Sequence, residues 1–573
     1  MGGFFIIIKE YEHDNNLKQY NAERGLDVFN KKGLKLNKFI QKENFEVYTF
    51  YKRFHEKENT FIFPNGDFLI TVGTFLYDGE TGQNAVNELY NDLKKNKRFL
   101  LNKTNGQFAV ISFVENELKI FNDSLGLYHI FFDDQLKIIS NSFLAVSKSV
   151  INKEVSIQEI YEYIFNGATY GNKTVFKNIN SIDRKEILTL YPRKNFDNKQ
   201  FPRFDVNVGA TYKNLIESVS DDLINYFRMI KNNFGNNVSS ALSGGYDSRL
   251  MFAIMNKLDM EPQLYVSGNE KSSDIKVAQT ISKHYNIPLE IYYEKNNTKL
   301  SPEEFYELIK FKFYLNDGIS TKGLFLTTSQ MDLKTTQNKL LNLNGGGGEI
   351  FRDFWKLINK RFTVSDFVTS RYDVALESYC TDKFNSEAYL SNLGFKIKKA
   401  LDSEDEQLTR QEIDRIYPFF RMRFWMSAVN KRLNYLSCAI WPFAEWRLVE
   451  KSNLIPVKYK FFGKFEADLI KNISPEVAKF NSNYGYNFYD PLPVKYKIKE
   501  GVKYGIPVSL RPCLRKKKLK SNFKLPYYFQ NEYREQFFDK ESYFVSEYID
   551  TSYPHFETVS RIFSLELLLK DAI

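Results

Sequence analysis

Cysteine is scarce. The 573 residues hold three, Cys380, Cys438 and Cys513, and no two form a Cys-x-x-Cys pair. That argues against a disulfide framework and against a cysteine zinc site. Histidine is almost as rare, five scattered residues, so a histidine metal centre is not expected either. Long apolar runs are missing. Phe4-Phe5-Ile6-Ile7-Ile8 is too short to span a bilayer and lacks the layout of a signal peptide. The chain therefore reads as soluble and cytoplasmic, with no membrane partner. It has no internal repeat and no Pro/Ser-rich linker. Charge of one sign is also in short supply: 80 Lys and Arg against 70 Asp and Glu leave +10, which reads as spread along the chain and argues against a nucleic-acid partner. The sharpest basic cluster, Arg515 to Lys520 with Arg511 nearby, reads as a solvated loop.

Apolar and aromatic residues are plentiful, at 43% and 16% of the chain, the latter mostly 52 Phe and 37 Tyr. The length exceeds one hydrophobic core, so at least two domains are expected. Up to about residue 200 the sequence alternates short β-rich runs with turn residues. Phe4–Ile8, Phe68–Phe75, Phe108–Phe113, Leu118–Phe121 and His129–Phe132 predict strands of a mostly antiparallel domain, and Ala85–Lys95 predicts a helix. From Ala210 the texture changes. Tyr212–Asn232 has helical spacing, Val238–Leu242 reads as a strand, Leu250–Leu258 as a helix, Gln263–Ser267 as a strand and Asp274–His284 as a helix. Such alternation implies a parallel sheet with crossover helices. Beyond Ser301 the pattern is mainly helical.

The strand Val238–Leu242 runs into Ser243-Gly244-Gly245-Tyr246-Asp247-Ser248 and then a helix. Two glycines let backbone N–H groups turn inward around phosphate oxygens, and the helix adds its positive end. Ser243 and Ser248 can donate hydroxyls. Asp247 suits an anion site only if a cation accompanies the anion, and Mg²⁺ on a pyrophosphate supplies one. The loop lacks the Gly-Lys-Ser/Thr ending of a P-loop. Read without ligands, it is a tight Gly-Gly turn with a helix cap.

At this point the chain resembles the asparagine synthetase family, whose ATP-pyrophosphatase loop is Ser-Gly-Gly-x-Asp-Ser. Ser272-Ser273-Asp274 with Ala278 and the helix to His284 looks like the family's second strand–helix unit, which borders the adenine. Asn344-Gly345-Gly346-Gly347-Gly348-Glu349-Ile350-Phe351 resembles its second glycine-rich segment, and Pro442 to Glu450 its Pro-Phe-Leu-Asp-x-Arg-Leu-Val-Glu. Gly463-Lys464 and Tyr484-Gly485-Tyr486 fall where relatives carry a lysine and a Gly-aromatic turn. The resemblance implies an α/β fold (α+β overall) in two domains. Residues 1–205 would form a glutaminase-like, Ntn-hydrolase-type antiparallel β-sandwich with helices. Residues 206–573 would form a doubly wound parallel sheet of the ATP-pyrophosphatase (PP-loop) type with a helical C-terminal part. It implies ATP and Mg²⁺ as cofactors. Leu242, Ser243, Gly244, Gly245, Asp247, Ser248, Ser267, Gly345, Gly346 and Gly347 would bind the nucleotide, and Asp247 and Glu349 the metal. Lys464, Asp247 and Glu349 are the implied catalytic residues. The family usually carries Asp before that Glu, where this chain has Gly348. Arg447 and Glu450 read as a structural ion pair near the site.

The first half resembles the family's glutaminase through Asn105-Gly106-Gln107-Phe108-Ala109, Asn122-Asp123-Ser124-Leu125-Gly126 and Ser140-Asn141-Ser142. Its chemistry is missing. A glutaminase of this class needs a cysteine directly after the initiator Met, whose thiolate attacks the amide. Here Gly2 and Gly3 follow Met1. The glutamine-holding Asn-Gly-Glu appears as Val72-Gly73-Thr74, and the Asp before Gly-x-Phe-Ala is Asn105. A structural role for this half is expected.

The resemblance therefore implies an ATP-dependent, amide-forming ligase that activates a carboxylate as acyl-adenylate without hydrolysing glutamine. Its substrates would be a small-molecule or peptide carboxylate and an amine or ammonia, in natural-product or polysaccharide tailoring. A separate glutaminase, a precursor peptide and a second copy of the chain are the expected possible partners. Two alternatives stay open: an ammonia-using asparagine synthetase, and a non-catalytic nucleotide-binding scaffold or sensor. Substrate contacts are expected in Asp317–Thr321 and Arg352–Trp355.

Overall fold

A computed structural model describes residues 1–9, 20–96, 100–201, 211–293, 299–326, 329–372, 377–514, 526–538, 544–550 and 555–570. Two antiparallel six-stranded sheets dominate the first half. One runs Ile179–Ser181, Phe131–Asp133, Ile138–Ser140, Gly3–Ile8, Phe45–Phe50, Leu36–Gln41. The other runs Asn195–Asn198, Glu186–Tyr191, Glu117–Asn122, Phe108–Val114, Phe68–Gly73, Thr60–Ile62. Side chains alternate faces along a strand. Phe4, Ile6 and Ile8 therefore meet Ile70, Val72, Ala109 and Ile111 of the second sheet, while Phe5 turns the other way. Phe45, Phe68 and Phe113 bridge the sheets, with ring centroids 5.4–6.4 Å apart. Both sheets are covered on their outer faces. Ala85, Val86 and Leu89 of the helix Gly82–Asn96 pack on Leu69, Phe108 and Val110. Ala22–Lys31, Phe143–Ser149 and Ile157–Asn166 cover the face that carries Phe5. Burial on both faces explains why these strands read as unbroken apolar runs.

The layers are helix, sheet, sheet, helix, which agrees with the expected antiparallel sandwich. Two local readings change. The strand expected at His129–Phe132 is Phe131–Asp133, because the Asp123 carboxylate accepts the N–H groups of Leu125, Leu127 and Tyr128 and keeps the preceding chain in a loop. The three helices covering the first sheet are not among the elements expected from the sequence.

The second half is built on a parallel sheet in the order Leu289–Tyr293, Gln263–Gly268, Val238–Ala241, Leu341–Leu343, Cys438–Ile440. The chain winds outward from Val238–Ala241 in one direction and later returns to the other side of it. The helices Tyr212–Phe234, Tyr246–Lys257 and Ser273–Tyr285 fall where the sequence places them, and helices dominate beyond Ser301. The strands at 341–343 and 438–440 are only three residues long, too short to show a period. The architecture is thus mixed α/β. One continuous apolar cluster joins the halves: it includes Phe5, Phe143 and Ile164 as well as Leu250, Leu343, Phe443 and Phe563. The expected boundary at 205/206 and the basic cluster Arg515–Lys520 lie outside the described residues.

Candidate functional site

An open parallel sheet binds ligands outside the carboxyl ends of its strands, where the strand order reverses. Here that point lies between Val238–Ala241 and Leu341–Leu343, and both glycine-rich segments emerge there. Leu242 extends the first strand, buried, with its N–H on Tyr265 O at 2.8 Å. Ser267 is exposed at the end of the neighbouring strand. Ser248 Oγ lies 2.8 Å from Ser243 Oγ and accepts the Ser243 N–H at 3.0 Å. Gly244 admits no side chain, since a Cβ there would stand 2.7 Å from the Asn483 N and Cβ. The helix Tyr246–Lys257 starts at Gly245 without a side-chain cap. The N–H groups of its first turn therefore lack intrahelical partners and suit an anion. The Gly244 N–H is already engaged: it donates to Asp274 Oδ1 at 2.8 Å, which also accepts Asn483 Nδ2 at 3.0 Å.

The second segment packs on the first. A Cβ at Gly345 would approach Asp247 Cβ to 3.3 Å and Ser248 N to 3.4 Å, and one at Gly346 would stand 3.0 Å from the Trp441 ring. Gly347 has φ +99°, a conformation glycine takes at no steric cost. A Cβ at Gly348 would overlap the Asp247 carboxylate. No side chain fits at Gly348 while Asp247 stands there, which gives the missing Asp a steric reason.

Arg352 organises the charge. Its Nη2 donates to Asp247 Oδ1 at 2.6 Å and lies 3.7 Å from Glu349 Oε1, while its Nε is 2.7 Å from Glu466 Oε2. Tyr417, at the start of a π-helical stretch Tyr417–Met426, donates to Glu349 Oε2 at 2.6 Å. Glu466 is fully buried, and burial, reinforced by the charge on Asp247, holds its carboxyl far above the usual range against the pull of Arg352. Burial also lifts Asp247 to about 6, with Arg352 opposing and Glu349 adding to the rise. Asp247 and Glu349 offer the hard oxygen donors that Mg²⁺ takes. Both already face a guanidinium, and among the described residues no group of three His, Cys, Asp or Glu could hold a metal ion. As arranged, these residues fit an arginine rather than a divalent ion. Beside them Tyr246, Glu349, Arg352, Tyr484, Tyr496 and Tyr504 line a cleft of about 300 Å³.

The structure thus brings together Leu242 to Ser248, Gly345 to Gly347 and Glu349. It does not bring Lys464 to them. The Lys464 ammonium, half exposed, pairs with Asp468 at 2.5 Å and lies over the Tyr212 ring at 4.3 Å, on the far side of its helix from Glu466. Arg447 pairs with Asp222 at 3.1 Å rather than with Glu450. Of the expected substrate segments, Arg352–Trp355 reaches the cleft, while Asp317 is buried among Lys32, Lys431 and Tyr435 between the halves. Sequence reasoning missed the roles of Arg352, Glu466, Asn483 and Tyr246. Tyr246 carries the one signal available, its place inside the loop motif: its hydroxyl meets Tyr486 OH at 2.7 Å, its ring stacks on Phe488, and it ties the Tyr484-Gly485-Tyr486 turn to the loop.

In the first half the nucleophile position is closed. A Cβ at Gly2 would stand 2.8 Å from Tyr51 O and 3.1 Å from Lys52 Cα. The residues expected to stand at glutamine contacts hold the second half of the chain. Thr74 Oγ1 donates to Asn434 Oδ1 at 2.7 Å. Asn105 Nδ2 and the Gly106 N–H each donate to Glu445 at 2.9 Å.

No known family profile matches this sequence, and no curated protein does. Three solved structures illustrate the remote likenesses found. The glutamine phosphoribosylpyrophosphate amidotransferase of B. subtilis, complexed with ADP and GMP, is 12% identical, with 50% of this chain and 65% of that one covered, at a TM-score of 0.22. This chain thus spans under two thirds of that enzyme's length. A structure described as the allosteric regulatory enzyme of purine biosynthesis is 10% identical over 60% of this chain and 74% of its own, at 0.23. A U34-tRNA thiolase from Methanococcus maripaludis with its 4Fe-4S cluster is 11% identical over 55% of this chain and 82% of its own, at 0.20. At scores this low none of them argues for a fold or an activity.

Proposed function

We propose that this chain is an ATP-dependent carbon–nitrogen ligase: it activates a substrate carboxylate as an acyl-adenylate, passes the acyl group to an amine or ammonia, and releases AMP and pyrophosphate. The observation that carries this reading is the meeting of two glycine-rich segments, Ser243–Ser248 and Asn344–Glu349, at the strand-order reversal of a parallel sheet. The Ser243 and Ser248 hydroxyls and the uncapped helix start would hold phosphate oxygens. The Arg352 guanidinium, preorganised by carboxylates, would stabilise charge growing on the leaving pyrophosphate. That role was expected of Lys464, whose ammonium is turned away. Asp247 orients Arg352 and covers Gly348. The carboxylate would enter through the tyrosine-lined cleft, and the reaction belongs in the cytoplasm, where ATP is. The closed position at Gly2 supports an amine that is not drawn from glutamine in this chain. The tailoring of a natural product or polysaccharide is the setting we favour.

The second reading, a non-catalytic nucleotide scaffold, is favoured by one observation: Asp274 already takes the Gly244 N–H. ATP–pyrophosphate exchange screened over carboxylic acids separates the two. The ligase reading expects exchange with at least one acid, and Asp247→Ala is expected to lower it by two orders of magnitude or more, about 10²-fold, with the fold retained. Nucleotide binding without exchange for any acid would leave the scaffold reading standing.

A further inference from the structure

The helix Val494–Gly505 has two faces of equal regularity. Tyr496, Glu500 and Tyr504, four residues apart, turn inward and line the cleft beside Arg352. Val494, Ile498 and Val502, also four apart, turn outward and are 70%, 64% and 65% exposed. Residues at i and i+4 share a helix face, so these three form one aliphatic ridge. Leu510 and Leu514, each at least half exposed, continue it, and Val502, Ile506, Pro507 and Leu510 border a shallow apolar hollow. A scattered exposed Val or Ile needs no explanation, but a continuous row does.

Lysines flank the ridge. Lys495 and Lys499 lie on one side of it and Lys497 on the other, all exposed. Lys503 pairs with Glu500. From Val494 to Lys520 the sequence holds ten Lys and Arg and one acidic residue, Glu500, a net +9 in a chain whose total is +10. The charge expected to be spread along the chain is thus concentrated in this stretch of sequence, and the described residues 494–514 carry five Lys and Arg against Glu500.

We propose that this outer face is a membrane-surface site: Val494, Ile498 and Val502 enter the interfacial layer of a bilayer while the flanking lysines meet anionic lipid headgroups. An aliphatic helix face bordered by cations is the pattern of helices that lie in the plane of a membrane, and long lysine stems keep their charge in the headgroup layer while the helix sinks below it. The occupant follows from shape and sign. A second copy of the chain would bring lysines against lysines. A protein partner would need a groove for a convex ridge, whereas a bilayer deforms around one. The proposal concerns lying on a membrane, and no described helix is long and apolar enough to cross one. It would place the cleft about one helix diameter, ~10 Å, from the headgroups.

Co-sedimentation of the full chain with lipid vesicles tests this. Wild type is expected to sediment with phosphatidylserine-containing vesicles at low ionic strength, to stay in solution with pure phosphatidylcholine, and to be released by salt. The exposed triple variant V494S/I498S/V502S is expected to fold normally by circular dichroism and to lose roughly tenfold or more in partitioning. K495Q/K497Q/K499Q is expected to lose a similar factor while keeping the ridge. Ile498→Asp is a second ridge variant should the triple variant misfold. Absence of wild-type binding to anionic vesicles would overturn the proposal, and so would recovery with an acidic protein in place of vesicles. Unchanged binding of the ridge variants would overturn it as well, because the basic sequence alone would then account for the attraction.

Discussion

A guanidinium among three carboxylates sets what each of them can do. Removing it leaves Asp247, Glu349 and Glu466 facing one another with no cation between them. Arg352→Gln is therefore expected to lose about 3 kcal/mol of stability, the scale of a buried pair broken from one side, measured by urea unfolding, with Arg352→Lys recovering part of it. Gly2 gives a contrasting prediction. Gly2→Cys restores the thiol by name, yet its Cβ meets Tyr51 O. The expected result is no glutamate released from glutamine and a loss of about 1–3 kcal/mol from overpacking. Glutamate release by either protein would refute the structural role given to this half. The loop, its two serines and the second glycine-rich segment were legible because backbone geometry demands glycine at fixed spacing. Arg352 fell in an expected substrate segment, but its role was not legible, since the partners that hold it closest, Asp247 and Glu466, lie 105 and 114 positions away. Lys464 illustrates the reverse error: a residue picked by its place in a pattern, whose side chain a neighbouring Asp468 one helical turn on draws to the other face.

Among elements, the join between the Asn105-Gly106 turn and the short helical turn Pro442–Ala444 is the one most open to measurement. Glu445 accepts from Asn105, from Gly106 and from Tyr226 OH, the last at 2.7 Å. Burial nevertheless raises its carboxyl from 4.5 to about 7. The folded protein then binds this proton more tightly than the unfolded chain does. Its contribution to stability is full below pH 4.5 and is lost as pH rises to 7, by about 3 kcal/mol in total. Unfolding free energies at pH 5 and pH 8 should show this fall, and Glu445→Gln should flatten it while lowering stability at pH 5 by turning a donor toward donors. Long elements were the legible ones: Tyr212–Phe234 and Ser273–Tyr285 span enough turns for a period to emerge. The strands at 341–343 and 438–440 and the helix Ile157–Asn166 escaped notice for different reasons. The first two are too short to show alternation, whereas Ile157, Ile160, Tyr161 and Ile164 do stand at helical spacing, a signal that was there to read.

In the molecule as a whole, the apolar cluster passes through both halves without a break, and polar anchors accompany it. The buried Lys52 donates to Asn434 O at 2.8 Å and Ser437 O at 3.1 Å. Arg561, in the last described helix Phe556–Leu569, donates to Thr321 O at 2.8 Å and to Phe165 O at 3.1 Å. Two halves so interlocked are expected to unfold together: near-ultraviolet circular dichroism and calorimetry should report one coincident transition, and truncation before Phe556 should loosen the first half, seen as faster amide exchange in Ile157–Asn166. Two separate transitions would mean the shared core is not cooperative. The change from antiparallel sheets to a parallel sheet was legible from the change in sequence texture near Ala210, but the interlock was not, because it rests on contacts nearly 400 positions apart. Ile164 and Phe165 are made early and Arg561 near the end. At the usual pace of translation the helix Ile157–Asn166 must wait roughly 20–80 s for the partner that covers it. Through that interval its apolar surface is open to chaperones or to other nascent chains, so the order of synthesis sets when this protein is most exposed to misassembly.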